Sequence, residues 1–132
     1  MRHFVLPVLL LSGTISARPA TAATPLAAPV QRDLQCFMLY AMAVDHAVEQ
    51  KDEKVQQGAG LGLIYFLGKL KVEAPALGLA DAIRQEAETL VGNPKTKEVG
   101  QSCDSEFQTA GAEMRTLGSE LTSKNNGAAP PK

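Results

Sequence analysis

The chain has 132 residues, of which 45% are apolar, 20% charged and 5% aromatic, and its formal net charge is −1. A chain of this length forms one small domain and has too few residues for a cofactor-bearing enzyme of two domains. The balanced charge excludes nucleic acid as an expected partner, because such binding needs a basic face that neutralises phosphates.

The first 22 residues have the three zones of a secretory signal peptide. A basic start at residues 1–3 precedes an apolar stretch at residues 4–11 and a small-residue segment, and we predict cleavage after Ala22. An N-terminal core helix is the alternative, but two prolines would interrupt it. The apolar stretch is shorter than the roughly 20 residues that span a bilayer. We therefore expect a periplasmic or secreted protein with no transmembrane segment after cleavage. Cleavage leaves 11 basic against 14 acidic residues, a net charge of −3.

The remaining chain divides into three parts. Residues 23–31 contain two prolines and no periodic pattern, which predicts a flexible leader. Residues 125–132 are rich in Asn, Gly, Ala and Pro, and this composition predicts a disordered tail. Residues 32–124 are left to form a helical domain.

The first predicted helix covers residues 33–50, with Asp33 placed to cap its start. The segment is apolar on almost every side, so we expect it at the centre of the fold, covered by its neighbours. A buried strand is the alternative for an apolar run, but the length and the Ala and Met content favour a helix.

The second predicted helix, residues 58–70, contains four glycines followed by bulky apolar residues. Each glycine costs up to about 1 kcal/mol relative to alanine, so this helix needs tertiary support. Gly58, Gly60 and Gly62 match part of a phosphate-binding loop, but Tyr65 stands where the third glycine of that pattern belongs. The Gly58 and Gly62 spacing is also found in membrane helices, for which the segment is too short.

Two amphipathic helices complete the predicted fold. Residues 75–93 place Glu86 on the outer face and the following residues on the apolar face: Leu79, Ile83, Ala87, Leu90 and Val91. Asn93 and Pro94 are predicted to cap the last helix. In that helix apolar residues recur at steps of three and four, which predicts a second buried face. The residues of this apolar stripe are Val99, Cys103, Phe107, Ala110, Met114, Leu117 and Leu121. No strand pattern occurs, so we predict an all-α bundle of about four helices.

Cys36 and Cys103 are the only cysteines and both remain after cleavage. In an exported chain they predict one structural disulfide. The position of Cys103 on the apolar stripe favours this interpretation, because it predicts a buried cysteine. A redox pair and a zinc site are the alternatives. Redox pairs are usually spaced Cys-x-x-Cys, and zinc needs four ligands where the mature chain has one histidine.

Candidate chemistry is sparse. Asp45 and His46 are adjacent on a helix and point about 100° apart, so they do not predict a catalytic pair. Met38, Met42 and His46 recur at steps of four and would present soft ligands for Cu(I), although core packing of the methionines is the favoured interpretation. We assign no catalytic residue and no cofactor, and we do not expect an enzyme.

The leader and the surroundings of the two cysteines, residues 33–37 and 99–107, resemble the HdeA/HdeB-type periplasmic acid-stress chaperones. The resemblance implies a small, exported, all-helical protein in which one disulfide ties an early helix to the last one. It also implies that the protein dissociates and partly unfolds in acid, and then holds other unfolding proteins.

Two functional hypotheses follow from the sequence. The first is a non-catalytic exported protein that acts by contact with other proteins or with a second copy as a homodimer, in a chaperone-like or envelope-stress role. Its physical reason is that the apolar helix surface exceeds what the other helices can cover. The alternative is a module that binds a small ligand or copper between the helices.

Overall fold

The computed structural model describes residues 25–127, with side chains described through Lys124. Four helices follow one another: α1 (Ala28–Gln50), α2 (Glu53–Glu73), α3 (Leu79–Leu90) and α4 (Thr96–Gly127). This part of the chain contains no strand, so the predicted all-α fold of four helices is confirmed. The central helix is α1, because α2, α3 and α4 each pack against it. Its cover is incomplete, contrary to the prediction, since Met42 and Val48 are exposed.

Helix α1 begins earlier than the sequence predicts. A proline occupies its first turn, where the missing N–H has no intrahelical partner to lose. The predicted flexible leader is therefore wrong for residues 28–31, and Leu26 and Val30 pack against the core. Asp33 does not cap the helix but lies within it, 2% exposed.

The C-terminal boundary of the helical domain also differs from the prediction. Helix α4 continues to Gly127, so the predicted tail is wrong for residues 125–127. The predicted signal peptide at residues 1–22 lies outside the described residues, as do residues 23–24 of the leader and residues 128–132 of the tail.

The connections explain where the other helices begin and end. Lys51 adopts a left-handed conformation with φ 56°, and the Asp52 carboxylate accepts a hydrogen bond from the Val55 amide at 3.0 Å. This cap lets α2 begin five residues before the predicted start. The third helix is shorter than predicted, and Val91 lies just beyond its end, exposed. Helix α4 begins at Thr96, so the predicted cap at Asn93 with Pro94 in the first turn is wrong; Asn93 Oδ1 instead accepts a hydrogen bond from the Lys95 amide at 2.9 Å, in the turn before the helix.

The core consists of two clusters on opposite sides of α1. One joins α1, α2 and α3 through buried apolar residues: Leu34, Met38, Leu70, Ala82 and Leu90. The other joins α1, α2 and α4 around Cys36, Phe66 and Cys103. The two cysteines form a disulfide with their Cα atoms 5.5 Å apart, which confirms the predicted bridge.

One glycine of α2 is required by close packing. A Cβ atom at Gly62 would overlap the ring of Tyr40, whereas a Cβ atom at Gly68 meets nothing within 4 Å. We expect Gly62→Ala to lower the free energy of unfolding by about 1–3 kcal/mol because it overpacks the core. Gly68→Ala, the matched control, should raise it by about 0.5–1 kcal/mol through helix propensity. Urea unfolding of both variants measures the difference, and a shift of the same sign in both would contradict the packing argument.

Candidate interaction surface

The apolar stripe of α4 is buried along its first half and exposed along its second. Cys103 is 1% exposed, and Val99 and Phe107 pack against it in the second core cluster. Every residue from position 112 to 124 is exposed, so the other described elements leave the outer half of the 32-residue helix uncovered. The prediction of a buried stripe is therefore wrong for its last three members: Met114 (65% exposed), Leu117 (58%) and Leu121 (63%).

Helix α2 presents two more apolar side chains on the same side of the bundle. Leu61 and Ile64 are 62% and 67% exposed, and with Met114 they line an open groove of about 900 Å³ between α2 and α4. We call the following set the apolar face: Leu61, Ile64, Met114, Leu117 and Leu121. Full burial of one such side chain contributes about 1.5–3 kcal/mol, so this surface gains considerably from being covered. Exposed apolar patches of this kind mark interaction sites.

The inner end of the groove rests on a packed aromatic cluster. The ring centroids of Tyr65 and Phe107, which both line the groove, are 5.8 Å apart. Tyr65 also meets Phe66 edge to face at 4.9 Å, and Tyr40 stacks on Phe66 at 5.7 Å. Aromatic pairs prefer stacked or edge-to-face arrangements, so these contacts hold the rings in defined orientations. The groove wall is thus fixed to the disulfide-bonded core, whereas the outer half of α4 is not.

A charged cluster behind the aromatic rings joins α1, α2 and α4. Lys69 donates hydrogen bonds to Asp33, at 2.8 Å, and to Glu106. Arg32 reaches the other oxygen of Glu106 at 2.9 Å, and the Tyr65 hydroxyl donates to Glu106 at 3.4 Å. Asp33 Oδ2 is buried without a hydrogen bond from any described residue. Sequence reasoning missed this cluster, although Lys69, which follows the apolar run of α2, was a signal for it.

The cluster favours the charged forms of Glu106 and Lys69. Burial would raise the pKa of Glu106, but the hydrogen bond from Lys69 and the charges of Lys69 and Arg32 outweigh it, and the pKa is lowered. Burial would lower the pKa of Lys69, but hydrogen bonds to Asp33 and Glu106 outweigh it, and the pKa is raised. The stability that Glu106 contributes is present above its unfolded pKa of 4.5 and is lost as the pH falls through its lower folded value.

A second buried carboxylate, Glu86, attaches α3 to α1. Glu86 is 5% exposed and accepts hydrogen bonds from Gln31 at 3.1 Å, from Gln35 and from the Thr89 hydroxyl at 2.7 Å. The sequence places Glu86 on the outer face of its helix, which is wrong. The reason is that the two glutamines of α1 lie opposite it and satisfy its oxygens, so its burial is tolerated.

The three residues considered for copper do not share one accessible surface. Met38 is 8% exposed and packs in the first core cluster, as the favoured alternative predicts. Met42 and His46 are exposed on the later part of α1. Across residues 25–127, no three His, Cys, Asp or Glu side chains are grouped so that they could hold a metal ion.

Tyr40 provides a spectroscopic test of the aromatic side of the groove. Burial, followed by the hydrogen bond to Asp104 at 2.8 Å and its negative charge, raises the pKa of Tyr40 well above the ordinary value of 10.0. We expect Asp104→Asn to lower that pKa part of the way, because burial remains while the carboxylate charge is lost. Tyrosine absorbance measures it directly, since the chain has two tyrosines and no tryptophan. An unchanged alkaline titration would contradict the assignment.

The raised tyrosine pKa also predicts how stability changes with pH. The contribution of Tyr40 is fully present below its unfolded pKa and is lost as the pH rises through the higher folded value. The protein should therefore lose stability above about pH 10, and Asp104→Asn should reduce that loss.

The chain matches no protein family, no characterised protein and no solved structure. Within residues 25–127, none of the four helices has the length and apolar character needed to cross a membrane.

Proposed function

We propose that this protein is a non-catalytic exported helical protein that acts by contact with other proteins through the apolar face. The observation that carries the proposal is the exposure of Met114, Leu117 and Leu121 on the uncovered outer half of α4. Leu61 and Ile64 add a second wall, so an incoming apolar segment would contact two helices at once. Methionine and leucine side chains on an open groove suit varied apolar partners, because they repack at low cost.

The specific role we propose is chaperone-like holding of unfolding polypeptides in the cell envelope. An unfolding chain exposes apolar segments that have no fixed shape. An open groove can bind such segments because it does not require one particular shape. The resemblance of the two cysteine regions to HdeA/HdeB-type chaperones supports the same role. Export is supported by the disulfide, because such bonds persist in oxidising compartments.

The charged cluster supports a structural rather than a catalytic role for its residues. A group that transfers protons at neutral pH needs a pKa near 7. The pKa of Glu106 is lowered and the pKa of Lys69 is raised, so both are moved away from that range. Their contacts attach α4 to the bundle and thereby hold the inner end of the apolar face in place.

Suppression of aggregation tests the proposed role. Citrate synthase diluted from guanidinium aggregates, and light scattering follows the process; we expect the oxidised full chain to suppress it at a few-fold molar excess. The triple variant Met114→Ser/Leu117→Ser/Leu121→Ser should lose most of that effect. The matched control, Val72→Ser/Val91→Ser, changes two exposed apolar residues away from the face and should retain it. No suppression by the wild type, or an equal loss in the control, would contradict the proposal.

One observation favours the alternative of a small-ligand module. The groove volume of about 900 Å³ falls in the range of ligand pockets, roughly 300–1,000 Å³. Such pockets bury most of their ligand, however, whereas Leu61 and Ile64 leave this groove open to solvent. Native mass spectrometry of protein isolated from its own cells distinguishes the two functions, because a bound ligand adds a defined mass.

A further inference from the structure

We propose that the apolar face closes on the same face of a second copy of this chain, with the two α4 helices antiparallel. This inference rests on the proposed function, since it names a second copy as an occupant of the same surface. Within the described residues nothing covers the outer half of α4, so the surface is available to a partner. Three features of the chain select a second copy and fix the register, and a fourth limits the affinity.

The first feature is the spacing of the stripe. Phe107, Ala110, Met114, Leu117 and Leu121 recur at steps of three, four, three and four. This is the 3.5-residue repeat of a coiled-coil seam, which pairs with another helix of the same kind. The stripe is about 21 Å long at 1.5 Å per residue and begins where α4 leaves the core.

The second feature is that the stripe is complementary to itself when it is reversed. A twofold axis between Met114 and Leu117 pairs Met114 with Leu117 of the second copy and the small Ala110 with the large Leu121. It also places Lys124 of the second copy beside the ring of Phe107, where a cation is attracted to the aromatic face. The end of the second α4 then lies in the groove beside Leu61 and Ile64. An antiparallel pair keeps the two bundles at opposite ends, whereas a parallel pair would force them together.

The third feature is a pair of glycines that the single chain does not need. Gly111 and Gly118 lie beside the seam, seven residues apart, and neither has a positive φ. A Cβ atom at Gly118 meets nothing within 4 Å, and one at Gly111 meets only the end of Arg115 at 3.6 Å. Glycine within a helix is unfavourable relative to alanine, and neither position has a packing reason in the single chain. The twofold axis sets Gly111 opposite Gly118 of the second copy, where the absence of side chains allows the two helices to approach closely.

The fourth feature limits the affinity. Glu113 and Glu120 lie on the other flank of the seam, and the same axis brings Glu113 near Glu120 of the second copy, where like charges repel. The interface is also small. Full burial of a Leu, Ile or Met side chain removes on the order of 100 Å², so five that are about three-fifths exposed supply on the order of 300 Å² per copy. Stable interfaces bury about 800 Å² per partner, so the dimer is weak and exchanges with other proteins.

Sedimentation of the oxidised full chain between about 1 and 500 µM tests the inference. We expect a monomer–dimer equilibrium in the wild type and none in Met114→Glu/Leu117→Glu. Glu113→Gln/Glu120→Gln should tighten the dimer at least threefold, because it removes the repulsion. Gly118→Ala should weaken the dimer about tenfold while raising the thermal stability of the monomer. A variant that lowers affinity by failing to fold would lose that stability.

A charge exchange tests the orientation. Glu113→Lys/Glu120→Lys mixed with wild-type chain should give mixed dimers in excess of either homodimer, because each lysine then faces a glutamate. A statistical mixture, or a dimer insensitive to Gly118→Ala, would overturn the proposed pairing. A wild-type chain that stays monomeric at 500 µM but still suppresses aggregation would overturn the second copy and leave the proposed function standing. A dimer that suppresses no aggregation would overturn only the proposed function.

Discussion

Reduction of the Cys36–Cys103 disulfide should lower the free energy of unfolding by about 4 kcal/mol. The bond closes a loop with a sequence separation of 67 residues, and the chain-entropy relation gives roughly this value for such a loop. Domains of this size have a total stability of about 5–15 kcal/mol, so the loss is a large share. Helix α4 packs mainly on α1, at the disulfide, and we therefore expect it to separate first.

Urea unfolding followed by circular dichroism, with and without reductant, measures this effect. The matched control is Cys36→Ala/Cys103→Ala, whose unfolding midpoint should be low and insensitive to reductant. An unchanged unfolding midpoint in the reduced wild-type chain would contradict this prediction. It would show that packing alone stabilises the fold and that the disulfide contributes little.

Replacement of Lys69 by methionine should cost about 3 kcal/mol, because removing one member of a buried ion pair leaves the other charge without a partner. Only 3% of the Asp33 side chain is exposed, and Lys69 is its only hydrogen-bond donor among the described side chains. Glu106 would keep Arg32 but lose its closer cation. Methionine conserves most of the apolar stem, so the loss of charge rather than of packing volume is measured.

Two controls separate the charge effect from a general effect of the substitution. Lys71→Met changes an exposed lysine on the same helix and should shift stability by less than about 0.5 kcal/mol. Asp33→Asn combined with Lys69→Met removes the isolated carboxylate and should recover part of the loss. If the double variant is as unstable as the sum of the single ones, Asp33 and Lys69 are not coupled in the way the structure indicates.

Local patterns in the sequence were sufficient for the helices and the disulfide. Helical periodicity is a short-range property, and it predicted α3 and α4 to within a few residues. The bridge between Cys36 and Cys103 followed from their number and from the position of Cys103 on the apolar stripe. The end points were less accurate, because a cap such as Asp52 or a proline at the start of α1 moves a helix boundary without changing its periodicity.

The positions of buried charges depended on contacts between distant parts of the chain. Asp33 was expected to cap a helix and Glu86 to face solvent, yet both are buried because Lys69 and the glutamines of α1 lie opposite them. The candidate surface depended on cover: α4 carries the same apolar spacing from Val99 to Leu121, and only the tertiary structure reveals that every described residue of α4 from position 112 onward is exposed. Periodicity reports which side of a helix is apolar, whereas burial requires a second element at the right distance.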